Sequence, residues 1–81
     1  MVIRTASGKE TEINYIGVAG SEVLYIVCAG SLTEISSVFG NPSETESIFC
    51  KDKEYTGYTE VENIVNAGEN YWRISLRRPQ L

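Results

Sequence analysis

Histidine is absent from this chain of 81 residues. Its absence removes the commonest general base, the commonest protein ligand of metals, and the serine–histidine and cysteine–histidine pairs of covalent catalysis. The two cysteines, Cys28 and Cys50, are far apart and form no CxxC motif, so they do not make a zinc site. Glycine-rich phosphate-binding motifs are missing as well. We therefore expect a protein that is not an enzyme and that holds no metal and no cofactor.

Long apolar runs are also lacking. The longest spans residues 23–29, whereas a membrane-spanning helix needs about 20 apolar residues. The first residues lead into a patterned strand, which differs from a signal peptide. We therefore expect no membrane segment and a cytoplasmic location with both thiols reduced. A disulfide between Cys28 and Cys50 remains compatible with the geometry of neighbouring strands.

Positive charge is scarce: seven basic residues stand against eleven acidic ones, which gives a formal net charge of −4. A general nucleic-acid-binding protein needs a strong basic field, so this class is excluded. The hydrophobic content of 42% is too high for a disordered tail. A chain of this length forms one domain, residues 1–81, with a small core.

The first half of the chain predicts three strands, over residues 2–6, 10–18 and 22–29. The third is almost continuously apolar, which is typical of a central strand buried on both faces. Ser31 and Glu34 then form a capping box that predicts one short helix over residues 31–39, ending at Gly40. We expect its apolar stripe to dock on the sheet; the stripe consists of Leu32, Ile35 and Phe39.

The second half predicts strands over residues 47–51, 55–59 and 71–78, while residues 60–65 fit a strand or a helical turn. The order β-β-β-α-β-β-β indicates a strand-rich, antiparallel α+β domain, built as a sheet or a small barrel. One short helix covers only part of one sheet face. We therefore expect that the sheet closes into a barrel or that a second subunit packs on it, which favours a homo-oligomer.

Two pairs of carboxylates occur at a two-residue spacing, Glu44 with Glu46 and Glu60 with Glu62. In an extended segment each pair lies on one face, where it could bind a divalent cation or perform acid–base chemistry. The interpretation we favour is a solvated edge that discourages aggregation.

The closing segment, residues 71–78, holds three of the seven basic residues and no acidic one. Strand alternation places Trp72, Ile74 and Leu76 on one face, which we interpret as core. The opposite face carries the candidate ligand-binding residues Tyr71, Arg73 and Arg77, because arginine binds phosphate and aromatic rings stack on bases. The segment 55–59 predicts a second wall, with Tyr55 and Tyr58 as further candidates. The alternative is that the tyrosines fill the sheet surface and the arginines are solvated.

Four segments, residues 3–9, 38–45, 55–59 and 74–78, resemble small uncharacterised proteins encoded by bacteriophages and prophages. The resemblance covers most of the chain, and its motifs are structural. It implies a phage accessory protein in the cytoplasm of a bacterial host cell and assigns no catalytic residue. Small, strand-rich, oligomeric phage proteins often look like inhibitors of bacterial immunity, including sponges that hold cyclic nucleotides or ADP-ribose-like signals between subunits.

These observations support two functional hypotheses. In the first, the protein is a non-enzymatic anti-defence inhibitor that, as a homo-oligomer, sequesters an anionic nucleotide-type signal or blocks a host immune protein. Arg73 and Arg77 would bind phosphate, while Tyr71, Tyr58 or Tyr55 would stack on a base. In the second, it is a virion or tail-associated structural protein whose arginines contact the acidic residues 44–62 of a neighbouring subunit.

Overall fold

The structure is a computed structural model, and it describes residues 1–79. Eight strands and two short helices lie within these residues. The strands are β1 (Val2–Arg4), β2 (Glu10–Glu12), β3 (Tyr15–Ala19), β4 (Val23–Ala29), β5 (Ser47–Cys50), β6 (Lys53–Thr56), β7 (Glu60–Gly68) and β8 (Tyr71–Arg77). The helices are α1 (Leu32–Phe39) and α2 (Pro42–Thr45). Neither helix is long and apolar enough to cross a membrane.

The strands form two four-stranded antiparallel sheets. The first sheet has the order β2-β1-β5-β6, and the second has the order β3-β4-β8-β7. The small, antiparallel α+β class predicted from the sequence is thus confirmed, in the form of two open sheets and without a closed barrel in the described part of the chain.

The strand predicted over residues 10–18 is in fact two strands that belong to different sheets. The Ile13 N–H donates to the Met1 carbonyl at 2.7 Å, next to the first sheet. The N–H of the following residue, Asn14, donates to the Val27 carbonyl at 2.7 Å, in the second sheet. The chain therefore crosses between the sheets at this point, and the single predicted strand was wrong.

Residues 60–65, which fit either a strand or a helical turn, belong to the long strand β7. Its pairing with β8 contains two register shifts, one between Val61 and Asn63 and one between Asn66 and Gly68. These bulges interrupt the alternation of apolar residues, which explains why the sequence pattern was ambiguous. Strand β7 continues to Gly68, and a tight turn at residues 69–70 leads into β8, where Asn70 takes a positive φ of 57°.

The core lies between the two sheets and one end of it is closed by α1. In β4 the side chains of Leu24, Ile26 and Cys28 are at most 1% exposed, whereas Tyr25 and Val27 are only half-buried. The strand is therefore fully buried on one face and not on both. The first sheet covers this inner face. Its buried side chains include Ile3, Ile48, Cys50 and Tyr55. Both layers of this core thus come from one chain.

Helix α1 begins where the capping box predicted. The Ser31 hydroxyl accepts the Glu34 N–H at 3.2 Å, and the helix ends ahead of Gly40. Ile35 and Phe39 are buried, but Leu32 is 47% exposed, so the predicted three-residue stripe was wrong at its first member. Leu32 opens the helix, and side chains tilt toward the helix N-terminus, so its side chain projects past the core.

We expect Ile35→Ala to lower the free energy of unfolding by about 2–5 kcal/mol, because it removes a buried side chain and leaves a cavity. The matched control is Leu32→Ala, which truncates a side chain of the same size on the exposed end of the same helix and should cost below about 1 kcal/mol. Urea unfolding of both variants measures the difference. Equal losses would contradict the core assignment of Ile35.

Candidate binding face

Alternate residues of the second sheet point away from the core and form one surface, called here the outer face. Register places Arg73 of β8 opposite Val27 of β4 and Val65 of β7, and Tyr15 of β3 lies on the other side of Val27. The outer face carries Tyr15, Tyr25, Val27, Val65, Tyr71, Arg73 and Arg77.

The inward-facing apolar side chains predicted for β8 are confirmed, whereas Ser75 of the opposite face is buried as well, at 2% exposed. Ile74 and Leu76 are fully buried on the inner face, and Trp72 packs against the core from its edge. The Trp72 indole N–H donates to the Gly30 carbonyl at 3.0 Å, which satisfies the only polar atom of its side chain. Arg73 and Tyr71 consequently point outward and are exposed.

Arg73 is an exposed cation on an otherwise uncharged part of the outer face. Its two register neighbours are valines. No ion pair within residues 1–79 involves its guanidinium. Its fork of donors is therefore open to an anion, with which it can form two parallel hydrogen bonds.

Arg77, in contrast, is engaged by carboxylates of its own chain. Its guanidinium donates to Glu62 at 3.3 Å and lies 3.7 Å from an oxygen of Glu22. The hydrogen bond to Glu62 and the charge of that carboxylate raise the pKa of Arg77. An incoming phosphate would have to compete with both carboxylates, so Arg77 is less suited than Arg73 to bind it.

Two exposed tyrosines accompany Arg73. Tyr71, two residues before it on the same strand, is 41% exposed, and Tyr15 is 54% exposed. Tyr15 was missed from the sequence because, in the single strand predicted over residues 10–18, it would lie on the same face as Ile13. Ile13 is buried in the core, and the crossing at Asn14 turns Tyr15 outward. Asparagine is depleted in strands, and this was the one signal that pointed to the break.

The other two candidate tyrosines lie elsewhere. Tyr55 and Tyr58 are 8% and 2% exposed and belong to the hydrophobic core. The Tyr58 hydroxyl donates to the Ser21 carbonyl at 3.0 Å. The structure therefore does not bring these two rings together with Tyr71 and Arg73, and the predicted second wall is not present on the outer face.

Arg78, which sequence reasoning passed over, covers the segment that was predicted to face a ligand. Its guanidinium carbon lies 4.7 Å from the centre of the Tyr58 ring, and its Nε donates to the Thr56 carbonyl at 3.1 Å. A Cβ added at Gly57 would lie 3.8 Å from the Arg78 side chain. Gly57 has a φ of 89°, so it provides a turn beneath this arginine.

Glu44 is a buried carboxylate in α2 and is 7% exposed. One of its oxygens accepts hydrogen bonds from the hydroxyls of Thr5 at 2.5 Å and Ser7 at 2.6 Å, while Lys9 Nζ lies 3.8 Å from the other. These hydrogen bonds, that of Ser7 first, lower the pKa of Glu44. The carboxylate fastens the turn after β1 to α2, so the solvated-edge interpretation is wrong for Glu44.

The two carboxylates of the second pair, Glu60 and Glu62, have different surroundings in the structure. Glu62 is bonded to Arg77, whereas Glu60 is exposed opposite it in the register. Residues 1–79 contain no group of three His, Cys, Asp or Glu side chains arranged to hold a metal ion. Cys28 and Cys50 are both buried and unpaired.

Comparison of the chain with protein-family models, with curated proteins and with solved structures yields no match.

We expect Glu44→Gln to lower stability at neutral pH, because the neutral amide cannot accept charge-assisted hydrogen bonds from both hydroxyls. The pKa of Glu44 is lower in the folded state, so its contribution is present above the unfolded value and is lost as pH falls through the folded value. Wild type and variant should therefore converge in melting temperature as the pH falls below about 4.5. Thermal unfolding followed by circular dichroism measures this convergence.

The control for Glu44→Gln is Glu46→Gln, which removes an exposed carboxylate two residues away. It should change stability by less than about 0.5 kcal/mol at neutral pH. A difference between wild type and Glu44→Gln that stays constant into acid would mean that the charge of the carboxylate is not the stabilising feature.

Proposed function

We propose that this protein is a non-enzymatic binding protein that self-associates and holds an anionic, nucleotide-type ligand on its outer face. The single observation that carries the proposal is the state of Arg73: exposed, flanked by valines and outside the ion pairs of residues 1–79. A guanidinium in that state binds a phosphate without first breaking an internal ion pair.

The groups around Arg73 suit a ligand with both a phosphate and a ring. Tyr71 lies on the same strand and the same side, and Tyr15 and Val27 extend an apolar surface across the sheet. A base stacked on a tyrosine contributes about 1–3 kcal/mol. The proposed assignment is that Arg73 pairs with the phosphate and Tyr71 stacks on the base. Arg77 is assigned the supporting role of holding β7 and the β3–β4 turn beside the face through Glu62 and Glu22.

The biological setting we propose is the one that the resemblance to phage proteins implies. In that setting the protein acts in a bacterial host cell and inhibits a defence system by removing its nucleotide-type signal. Blocking of a host immune protein by the same outer face is the variant of this proposal that needs no small ligand.

The alternative of a virion structural protein has less support. It requires the arginines to contact the acidic segment of a neighbouring subunit. Within that segment Glu44 is buried against Thr5 and Ser7, and Glu62 is bonded to Arg77 of the same chain. These two carboxylates are therefore engaged internally, which leaves fewer charges for a contact between subunits.

Arg73→Ala is expected to weaken ligand binding about 10- to 100-fold, because a charge-assisted hydrogen bond is worth about 1.5–3 kcal/mol. Isothermal titration calorimetry with cyclic dinucleotides and ADP-ribose derivatives measures the affinity. The melting temperature should stay within about 2 °C of wild type, since Arg73 is exposed and enters none of the ion pairs among residues 1–79.

The control variant is Lys51→Asn, which removes one positive charge from an exposed turn in the other sheet. Asparagine suits this position because Lys51 has a φ of 55°. Its affinity should equal that of wild type. Absence of heat for the wild type with every nucleotide would contradict the ligand proposal. If Arg73→Ala and Lys51→Asn lost affinity equally, the loss would be an effect of net charge and not of a site at Arg73.

A further inference from the structure

The two sheets have four open edges, and three of them carry features that prevent pairing with another chain. Strand β2 has three residues, of which two are Glu10 and Glu12. Strand β6 begins with Lys53 and Glu54. Strand β7 is interrupted by two bulges and carries further carboxylates. Short length, charge and bulges are the devices by which natural edge strands avoid association.

The fourth edge, β3, has none of these features. Its sequence is Tyr-Ile-Gly-Val-Ala, without a charge or a proline. Its pairing with β4 is regular over all five residues, from Tyr15 opposite Val27 to Ala19 opposite Val23. Tyr15 is 54% and Val18 is 40% exposed. A regular, uncharged edge strand with exposed apolar side chains is a template for pairing with another strand.

We propose that two copies of this chain associate through their β3 strands, which pair antiparallel across a two-fold axis near Gly17. The inference rests on the self-association in the proposed function and names its surface. The partner is a second copy because β3 complements itself: an uncharged strand meets no like charge when it lies beside its own copy. The same pairing of β2 would set Glu10 opposite Glu12, which is repulsive.

Centring the axis on Gly17 matches large side chains with small ones. Tyr15 then faces Ala19 of the second copy, and Ile16 faces Val18, with each pair formed twice because the contact is isologous. Ile16 and Val18 are opposite Ile26 and Leu24 in the register, so they lie on the inner side, and Ile16 packs against the core. The contact therefore extends both cores across the new strand pair.

This contact joins the two outer faces into one surface. Two strands paired edge to edge continue a single sheet, so side chains of the same phase remain on the same side. Tyr15 lies beside the axis, and the Arg73 residues of the two copies lie toward the two ends of the joined surface. The dimer thus presents two equivalent anion-binding arginines on one side of an eight-stranded sheet.

The test is a comparison of Val18→Lys with Val65→Lys. Both valines are 40% exposed and lie on edge strands of the same sheet. The first substitution places a charge in the proposed contact, and the second places the same charge on β7. Size-exclusion chromatography with light scattering, over a loading range of roughly 1 µM to 1 mM, should give about twice the 9.0 kDa of one chain for wild type. Val65→Lys should match wild type, and Val18→Lys should give the mass of one chain.

Hydrogen exchange provides a measurement that needs no substitution. Amides of β3 should become more protected as the concentration of wild type rises, while those of β7 should not change. The inference is overturned if wild type has the mass of one chain throughout, or if Val18→Lys leaves the oligomer intact. If Val18→Lys leaves the oligomer intact and Val65→Lys dissociates it, the contact lies on the outer face or on β7. Self-association would then still stand, whereas loss of ligand binding in Arg73→Ala tests the proposed function separately.

Discussion

The antiparallel pairing of β4 with β8 organises both the core and the outer face of this protein. It joins segments from the two halves of the chain in a continuous register, from Val23 opposite Arg77 to Ala29 opposite Tyr71. That register decides which side chains share a face, because a shift by one residue would exchange the two sides. One side becomes the centre of the core, and the other becomes the outer face with its exposed arginine.

The first sheet exists largely to cover the inner side of this pair. A chain of 81 residues has too few apolar side chains to build a separate core for each sheet, so both sheets share one core. On the opposite, outer side of the second sheet, Tyr71 and Arg73 are consequently exposed. The outer face is stabilised by its own contacts, such as the ion pairs of Arg77 with Glu22 and Glu62. On this surface Arg77 is engaged by carboxylates, whereas Arg73 enters none of the ion pairs within the described residues 1–79.

The parts of the candidate site that were predictable are those within a single strand. Tyr71, Arg73 and Arg77 share a face because strand alternation alone places them there. Tyr55 and Tyr58 were not predictable in the same way. Their side of the sheet depends on how β6 and the loop after it meet the core, and the Tyr58 hydroxyl is held by Ser21, distant in sequence. Nothing within segment 55–59 encodes that partner.

Local features could be predicted before the fold was known: the capped helix at Ser31, the apolar stretch of β4, the two faces of β8, and the lack of histidine chemistry. Other features are visible only in the folded chain: the passage from one sheet to the other at Asn14, the burial of Glu44 and the pairing of Arg77. The two kinds of feature differ in how far apart in the sequence the interacting residues lie. Capping and alternation depend on neighbours within a few residues, whereas Glu44 meets Thr5 across 39 positions and Arg77 meets Glu62 across 15.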